Sequence, residues 1–259
     1  MNIPLHWHTE PLLLLLIVGV LWGYTLICGP YRSSLAPSLT RYPLKSSTSF
    51  YLGVFFAYVA VGSPLDQIGE SFLFSAHMMQ HMLLIYVSAP LIVLGLPPEL
   101  TDPFLLNHPR FKKILGFLVH PLTAGILFNF SFSVWHFPEL YDAALSSRPL
   151  HIVEHWMMFL PAIFMVWPLV SRSKVLPRLG GGGAMLYSFA LMIADLPVWA
   201  ALIFAEHPIY ETYLLAPRIC WLSASQDMIM GAVVMKAFNE IFALTNMGVA
   251  FYAWYQRDR

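Results

Sequence analysis

Long apolar runs, set off by prolines, glycines and short charged stretches, constrain this chain more than any other feature. Seven of them lie near residues 11–28, 48–62, 71–95, 113–135, 150–170, 184–205 and 227–254. A helix crossing a bilayer needs about 20 predominantly apolar residues. Within lipid only helices and closed barrels satisfy every backbone polar group. Seven spans take roughly 140 residues, which leaves a 259-residue chain only short connections. The second run is short by this rule and extends into Ser46–Ser49 to complete a span. The expected fold class is therefore all-α: a polytopic membrane bundle of seven transmembrane helices, with residues 1–259 forming a single integral membrane domain. Pro90, Pro161 and Pro197 fall inside runs, so kinks are expected there.

Composition removes the alternatives. Hydrophobic residues make up 58% of the chain and charged residues 11%, whereas a soluble domain carries about 25% charged residues. Lys+Arg and Asp+Glu balance at 14 each, so no basic excess attracts nucleic acid. An aromatic content of 15% with so few charges excludes a disordered chain. Cys28 and Cys220 are single and far apart, giving neither a CxxC pair nor a disulfide framework. Met1 to Glu10 has no Lys or Arg, so the opening segment does not read as a cleavable signal peptide.

Splitting the charge by connection gives the orientation. One set of alternate connections holds Arg32, Arg41, Lys45, Arg110, Lys112, Lys113, Arg172, Lys174, Arg178, Arg257 and Arg259. The opposite side has Arg148 and Arg218, and Lys236 falls within the last run. Basic residues concentrate in cytoplasmic loops, so the N-terminus is expected outside and the C-terminus in the cytoplasm.

Orientation turns ten histidines into a pattern. His108 falls in a cytoplasmic loop and His120 in the cytoplasmic half of the fourth span; the other eight map outside or to the outer half of the membrane. His77 and His81 lie in the third span, the first of them roughly 9 Å below its outer end. His151 and His155 occupy the first two turns of the fifth, while His136 and His207 end the fourth and sixth at the same level. Each pair has i,i+4 spacing, which puts both rings on one helix face where they can hold a single ion. A histidine in a membrane can instead hydrogen-bond a neighbouring helix. Two such pairs at one depth favour a metal site, since polar groups in lipid are costly and mark function.

Methionine narrows the ion. Met78, Met79 and Met82 flank the first pair, Met157 and Met158 follow the second, and Met228 and Met230 open the last span. Each alone reads as a packing residue. With imidazoles and without carboxylate cages, thioethers favour a soft ion, Cu(I) above all, whereas Zn(II) needs only the histidines. Asp195 and Asp227 are candidates to orient an imidazole through its free N–H, with an interhelical hydrogen bond as the plainer role. Lys236 and Glu240, one turn apart, neutralise each other. His6-Trp7-His8 reads as an ion-capture point or as a Trp-anchored interfacial tail. His151-x-x-Glu154-His155 formally matches a zinc-protease pattern but lacks a third acidic ligand. Gly180–Gly183 lacks the Lys-Ser/Thr of a phosphate loop.

The block Phe74-Ser75-Ala76-His77-Met78-Met79-Gln80-His81-Met82-Leu83-Leu84, followed by Ala89-Pro90 and Leu94-Gly95-Leu96-Pro97, resembles the signature third helix of the CtaG-type membrane family of cytochrome c oxidase assembly factors. Trp135-His136-Phe137-Pro138-Glu139-Leu140-Tyr141-Asp142, the His151-to-His155 block, and Ser225-Gln226-Asp227 with Met230-Gly231 are similar to its later blocks. The resemblance runs from about residue 70 to 236. It implies a multi-pass plasma-membrane protein of respiring bacteria that helps load copper into the oxidase. The single-span copper chaperones that share the name use a paired-cysteine motif, which Cys28 and Cys220 cannot reproduce.

The expectation is thus a copper-binding assembly factor, not an enzyme and with no catalytic residue. It would deliver Cu(I) at the outer face to cytochrome c oxidase subunits or to another copper chaperone, as a monomer or homo-oligomer. His77, His81, His151 and His155 are the expected metal ligands, supported by His136, His207, Met78, Met82 or Asp227. The alternatives are a bis-histidine haem b electron carrier, a zinc protein, and a copper transporter. For transport, only His120, Asp195, Lys236 and Glu240 lie deep enough to continue a path.

Overall fold

The computed structural model describes residues 6–257 and is helical throughout, with no strand among the described residues. Arg259 of the basic tally lies outside them. We number the principal helices α1 (Pro11–Cys28), α2 (Leu44–Gly62), α3 (Pro64–Ser71), α4 (Phe74–Leu94), α5 (Pro109–Leu118), α6 (Pro121–Trp135), α7 (Pro138–Ser146), α8 (Arg148–Val170), α9 (Gly181–Ala194), α10 (Leu196–Ile203) and α11 (Ala224–Arg257). Shorter helical segments at Arg32–Leu35, Pro98–Asn107 and Glu211–Leu215 lie in the connections.

Among the described residues six helices are long and apolar enough to cross a membrane: α1, α2, α4, α8, the α9–α10 pair and α11. The α5–α6 pair passes the same test but bends by 62° at its break, and it makes a seventh span if its halves act as one. The bend falls where His120, in extended backbone, precedes Pro121. A proline cannot donate to the preceding turn and disfavours helix at the residue before it. His120, expected inside the fourth span, is therefore an exposed residue at a corner.

The prolines behave differently from one another. Pro90 follows a π-helical stretch, Leu83–Ser88, where the looser turn accommodates its missing N–H. Pro161 and Pro168 are carried inside an unbroken α8. Near Pro197 the sixth span breaks at Asp195. There Lys236 of α11 donates to the Met192 carbonyl at 2.7 Å and to Asp195 Oδ1 at 2.9 Å, and lies 3.2 Å from Glu240. Its ammonium thus repairs the broken turn. Asp195 is committed to this ion pair, the plainer of the two roles expected of it, and not to an imidazole.

α4 is the axis of the bundle. In its most apolar window 61% of residues are buried, against 11% for α1, which flanks the assembly. Lipid tails are as apolar as leucine, so helix association in a bilayer relies on close packing and interhelical hydrogen bonds. Both appear around α4. Gly53 of α2 presses on Ile92 and Ser88, and the Ser88 hydroxyl donates to the Gly53 carbonyl at 2.8 Å. Gly231 of α11 receives Phe74 and Met78. Met78, Met82, Met165 and Met235 fill the apolar core with Phe74, Tyr141 and Tyr210. Cys28 is buried beside Tyr24, Phe50 and Val54 and, like Cys220, is unbridged.

Candidate metal centre

Two helix starts set the depth of the histidines. The first N–H groups of a helix lack intrahelical acceptors, and in α4 a distant carboxylate supplies them. Asp227 of α11 accepts from Phe74 N at 2.7 Å, Ser75 N at 3.2 Å and Ser75 Oγ at 2.5 Å. Asp227 therefore holds the helix that carries His77 and His81; it does not orient an imidazole as expected. α8 begins at Arg148 with a proline in its first turn, so His151 and His155 lie near its start.

α4 and α8 then bring the four predicted imidazoles together. Ring centroids lie 4.4 Å apart for His77 and His81, 4.3 Å for His151 and His155, and 5.4 Å for both His77–His151 and His81–His155. Glu154 projects into the middle. Its Oε1 is 3.4 Å from His77 Nε2 and 3.7 Å from His81 Nε2, and its Oε2 is 3.9 Å from His151 Nε2. One ligand atom each from His77, His151 and Glu154 falls within 4.8 Å of the others. His77 and His81 are 0% exposed and Glu154 is 1% exposed.

These atoms lack partners. Both nitrogens of His77 and His81, Nε2 of His151 and His155, and both oxygens of Glu154 are buried without a hydrogen bond. One unsatisfied buried polar group costs roughly 1–3 kcal/mol. Eight in one place amount to on the order of 10 kcal/mol, comparable to the whole net stability of a domain. The three that converge, one each from His77, His151 and Glu154, fit a cation. The chemistry of the set is nitrogen and carboxylate oxygen, the donors of Zn(II) and Cu(II) sites.

Most of the flanking methionines have other surroundings. Residues adjacent to a ligand on a helix point about 100° away from it, and Met78 and Met82 accordingly pack into the apolar core toward α11. Met228 accepts from Ile209 N through its sulfur at 3.4 Å, while Met157 and Met230 are exposed. These surroundings add nothing to the thioether argument for Cu(I).

Of the supporting histidines, His207 is exposed in the loop after α10. His136 is buried at the end of α6, with its ring 6.4 Å from that of Tyr141. Its Nδ1 donates to the Phe132 carbonyl at 2.6 Å, so a lone pair remains on Nε2 in the neutral ring. An aromatic group roofs the centre. Tyr141 and Tyr210 stack at 4.0 Å, Tyr141 lies 5.3 Å from His77, and Tyr213 donates to the Gly69 carbonyl at 2.7 Å.

Sequence reasoning missed Glu70 and undervalued Glu154. His151 Nδ1 donates to Glu70 Oε1 at 2.6 Å, which fixes the proton on Nδ1 and turns the Nε2 lone pair toward Glu154. A carboxylate behind a ligating imidazole orients it and raises its basicity. Burial alone would raise the Glu70 carboxyl, but the hydrogen bond and charge of His151 outweigh it and hold Glu70 below the ordinary carboxylate value. One turn earlier on the same helix, burial and the nearby Glu70 charge push Asp66 up to about 6. An acidic i,i+4 pair immediately before the histidine block was the available signal for both.

Gly69 lets α3 lie directly on α4. A Cβ there would sit 2.9 Å from both N and Cα of His77 and would run into Gln80 Oε1. Alanine is a better helix former than glycine by about 1 kcal/mol, whereas overpacking against backbone costs about 1–3 kcal/mol. Gly69→Ala is expected to lower the thermal unfolding midpoint and to weaken metal retention by moving Glu70 away from His151. A raised midpoint would show that α3 is not held this closely.

Comparison with known proteins adds the family. Residues 22–257 match the family described as cytochrome c oxidase caa3 assembly factor. The chain belongs to that family. Two relatives are uncharacterized proteins from Mycobacterium bovis and Mycobacterium tuberculosis, each 25% identical over 76% of this chain. The chain spans about a third of their length, with 32% of each relative covered. No solved structure matches it.

Proposed function

We propose that this oxidase assembly factor holds a copper ion between α4 and α8, near the outer face of a bacterial plasma membrane, and passes it to a cytochrome c oxidase subunit. The observation that carries the reading is the buried convergence of His77, His151 and Glu154, whose ligand atoms lie within 4.8 Å of one another, with the rings of His81 and His155 packed against them. Divalent copper suits the set best. Cu(II) binds nitrogen and oxygen sites more tightly than the other common first-row divalent ions. Its charge also balances the two carboxylates, Glu154 inside the centre and Glu70 behind it. A haem needs a flat slot between its two axial rings, whereas these four imidazoles are in mutual contact, which favours a bare ion. Transport finds little support, since Lys236 and Asp195 are spent on each other and His120 sits at an exposed corner. Delivery then proceeds by ligand exchange and changes no covalent bond.

The test has two arms. The full chain, purified in lipid nanodiscs after copper loading, is expected to retain about one copper per chain, with an electron paramagnetic resonance spectrum showing nitrogen hyperfine coupling. Membranes from cells lacking the chain are expected to hold copper-poor, inactive oxidase that the parent gene restores. Protein that retains no copper while its fold is intact sinks the reading; an intense Soret band would replace it with the haem carrier.

A further inference from the structure

The aromatic roof closes the centre from one side, and a large cavity reaches it from another. The cavity has a volume of about 710 Å³ and lies between α1, α2, α3 and α8, with His151 and His155 in its wall. Part of its wall is apolar, with Leu16, Val20 and Val54. At its other end stand His8, Asp66 and Glu70, none of which belongs to the four predicted ligands.

These three residues form a row that ends at the centre. His8 Nε2 is 3.1 Å from Asp66 Oδ2. Asp66 and Glu70 are four residues apart on α3 and so share a face. Glu70 in turn holds His151 Nδ1 at 2.6 Å. Beyond His151 lies Glu154, 1% exposed with both oxygens lacking a hydrogen bond, so the row leads to the buried donors of the centre. The segment before α1 is seated to present His8: its N–H donates to the Gly62 carbonyl at 2.7 Å, and Tyr58 donates to its carbonyl at 3.0 Å. Gln80 pins the other half of the outer pair, donating to Asp66 Oδ1 at 2.5 Å and to the Ala60 carbonyl at 3.0 Å.

We infer that His8 and Asp66 form an outer receiving station for a divalent transition-metal cation, and that Glu70 carries the ion from there along the cavity to the buried histidines. Imidazole and carboxylate are ligands that such an ion accepts while still partly hydrated. Each step trades bound water for protein donors, so the ion never crosses the apolar wall bare. The outer pair offers two donors and the centre brings together at least three, from His77, His151 and Glu154, and this difference in number drives the ion inward. The inference rests on the reading of the centre as a copper site.

The test separates rate from equilibrium. The metal-free full chain in nanodiscs is mixed with Cu(II) buffered by a weak chelator, and arrival at the centre is followed by stopped-flow tryptophan quenching. Asp66→Asn keeps an oxygen for Gln80, and His8→Ala lies on the peripheral segment. Both variants are expected to fill at least tenfold more slowly than the parent, with the same final stoichiometry and the same chelator-competition affinity. An unchanged filling rate in both overturns the route and leaves the centre standing. A fall in affinity matching the fall in rate also overturns it, by making these residues part of the centre. If the parent chain takes up no copper, the centre and its route fail together.

Discussion

With His77 and His81 both replaced by alanine, the chain is expected to fold, insert and retain no copper. The magnitude comes from linkage. A ligand present at a thousand times its dissociation constant stabilises the folded state by about 4 kcal/mol, so copper should raise the unfolding midpoint of the parent and leave that of the double variant unmoved. The metal-free proteins should differ little. The substitutions delete four of the eight unpartnered polar atoms, which offsets the packing lost with two small rings. Thermal unfolding with and without copper, combined with metal analysis, reads both effects. A metal-free double variant that unfolds far below the metal-free parent would mean that the imidazoles serve the fold, and would reject the metal reading.

The second large effect is expected at Glu154. Glu154→Gln preserves shape and removes one negative charge from a site that is 1% exposed. At an effective dielectric of about 20, unit charges roughly 3.5 Å apart interact by about 5 kcal/mol. A divalent ion loses about twice what a monovalent ion loses. Chelator competition should therefore show Cu(II) affinity falling at least 100-fold, with Cu(I) affinity falling much less. Equal losses for the two oxidation states would show that the carboxylate does not face the ion. Loss confined to Cu(I) would return the sulfur donors to the argument.

The histidine cluster was legible before any coordinates because i,i+4 spacing is a local property of a helix. His77 with His81, and His151 with His155, each had to share a face once their segments were helical. Glu154 lies in plain view between the second pair, in a pattern that reads as a zinc-protease motif in a soluble protein but has another meaning in a bilayer. There a buried carboxylate needs a cation. The methionines were less legible: Met78 and Met82 neighbour the histidines in sequence, yet both are buried in the apolar core cluster. Their sulfurs went to the core.

What the chain determined by itself was its solvent, its helical class and the two faces that carry imidazoles, since apolar length and 3.6-residue periodicity involve only nearby residues. The tertiary structure decided the rest. It set Asp227 on the start of α4 across 152 and 153 residues of sequence separation, paired Lys236 with a broken turn at Asp195, and bent the α5–α6 pair at Pro121. It also laid α3 across the mouth of the centre, with Gly69 against the His77 backbone and Glu70 behind His151. Each of these depends on which helices become neighbours. That choice is made by packing between segments distant in the chain, and no local spacing encodes it.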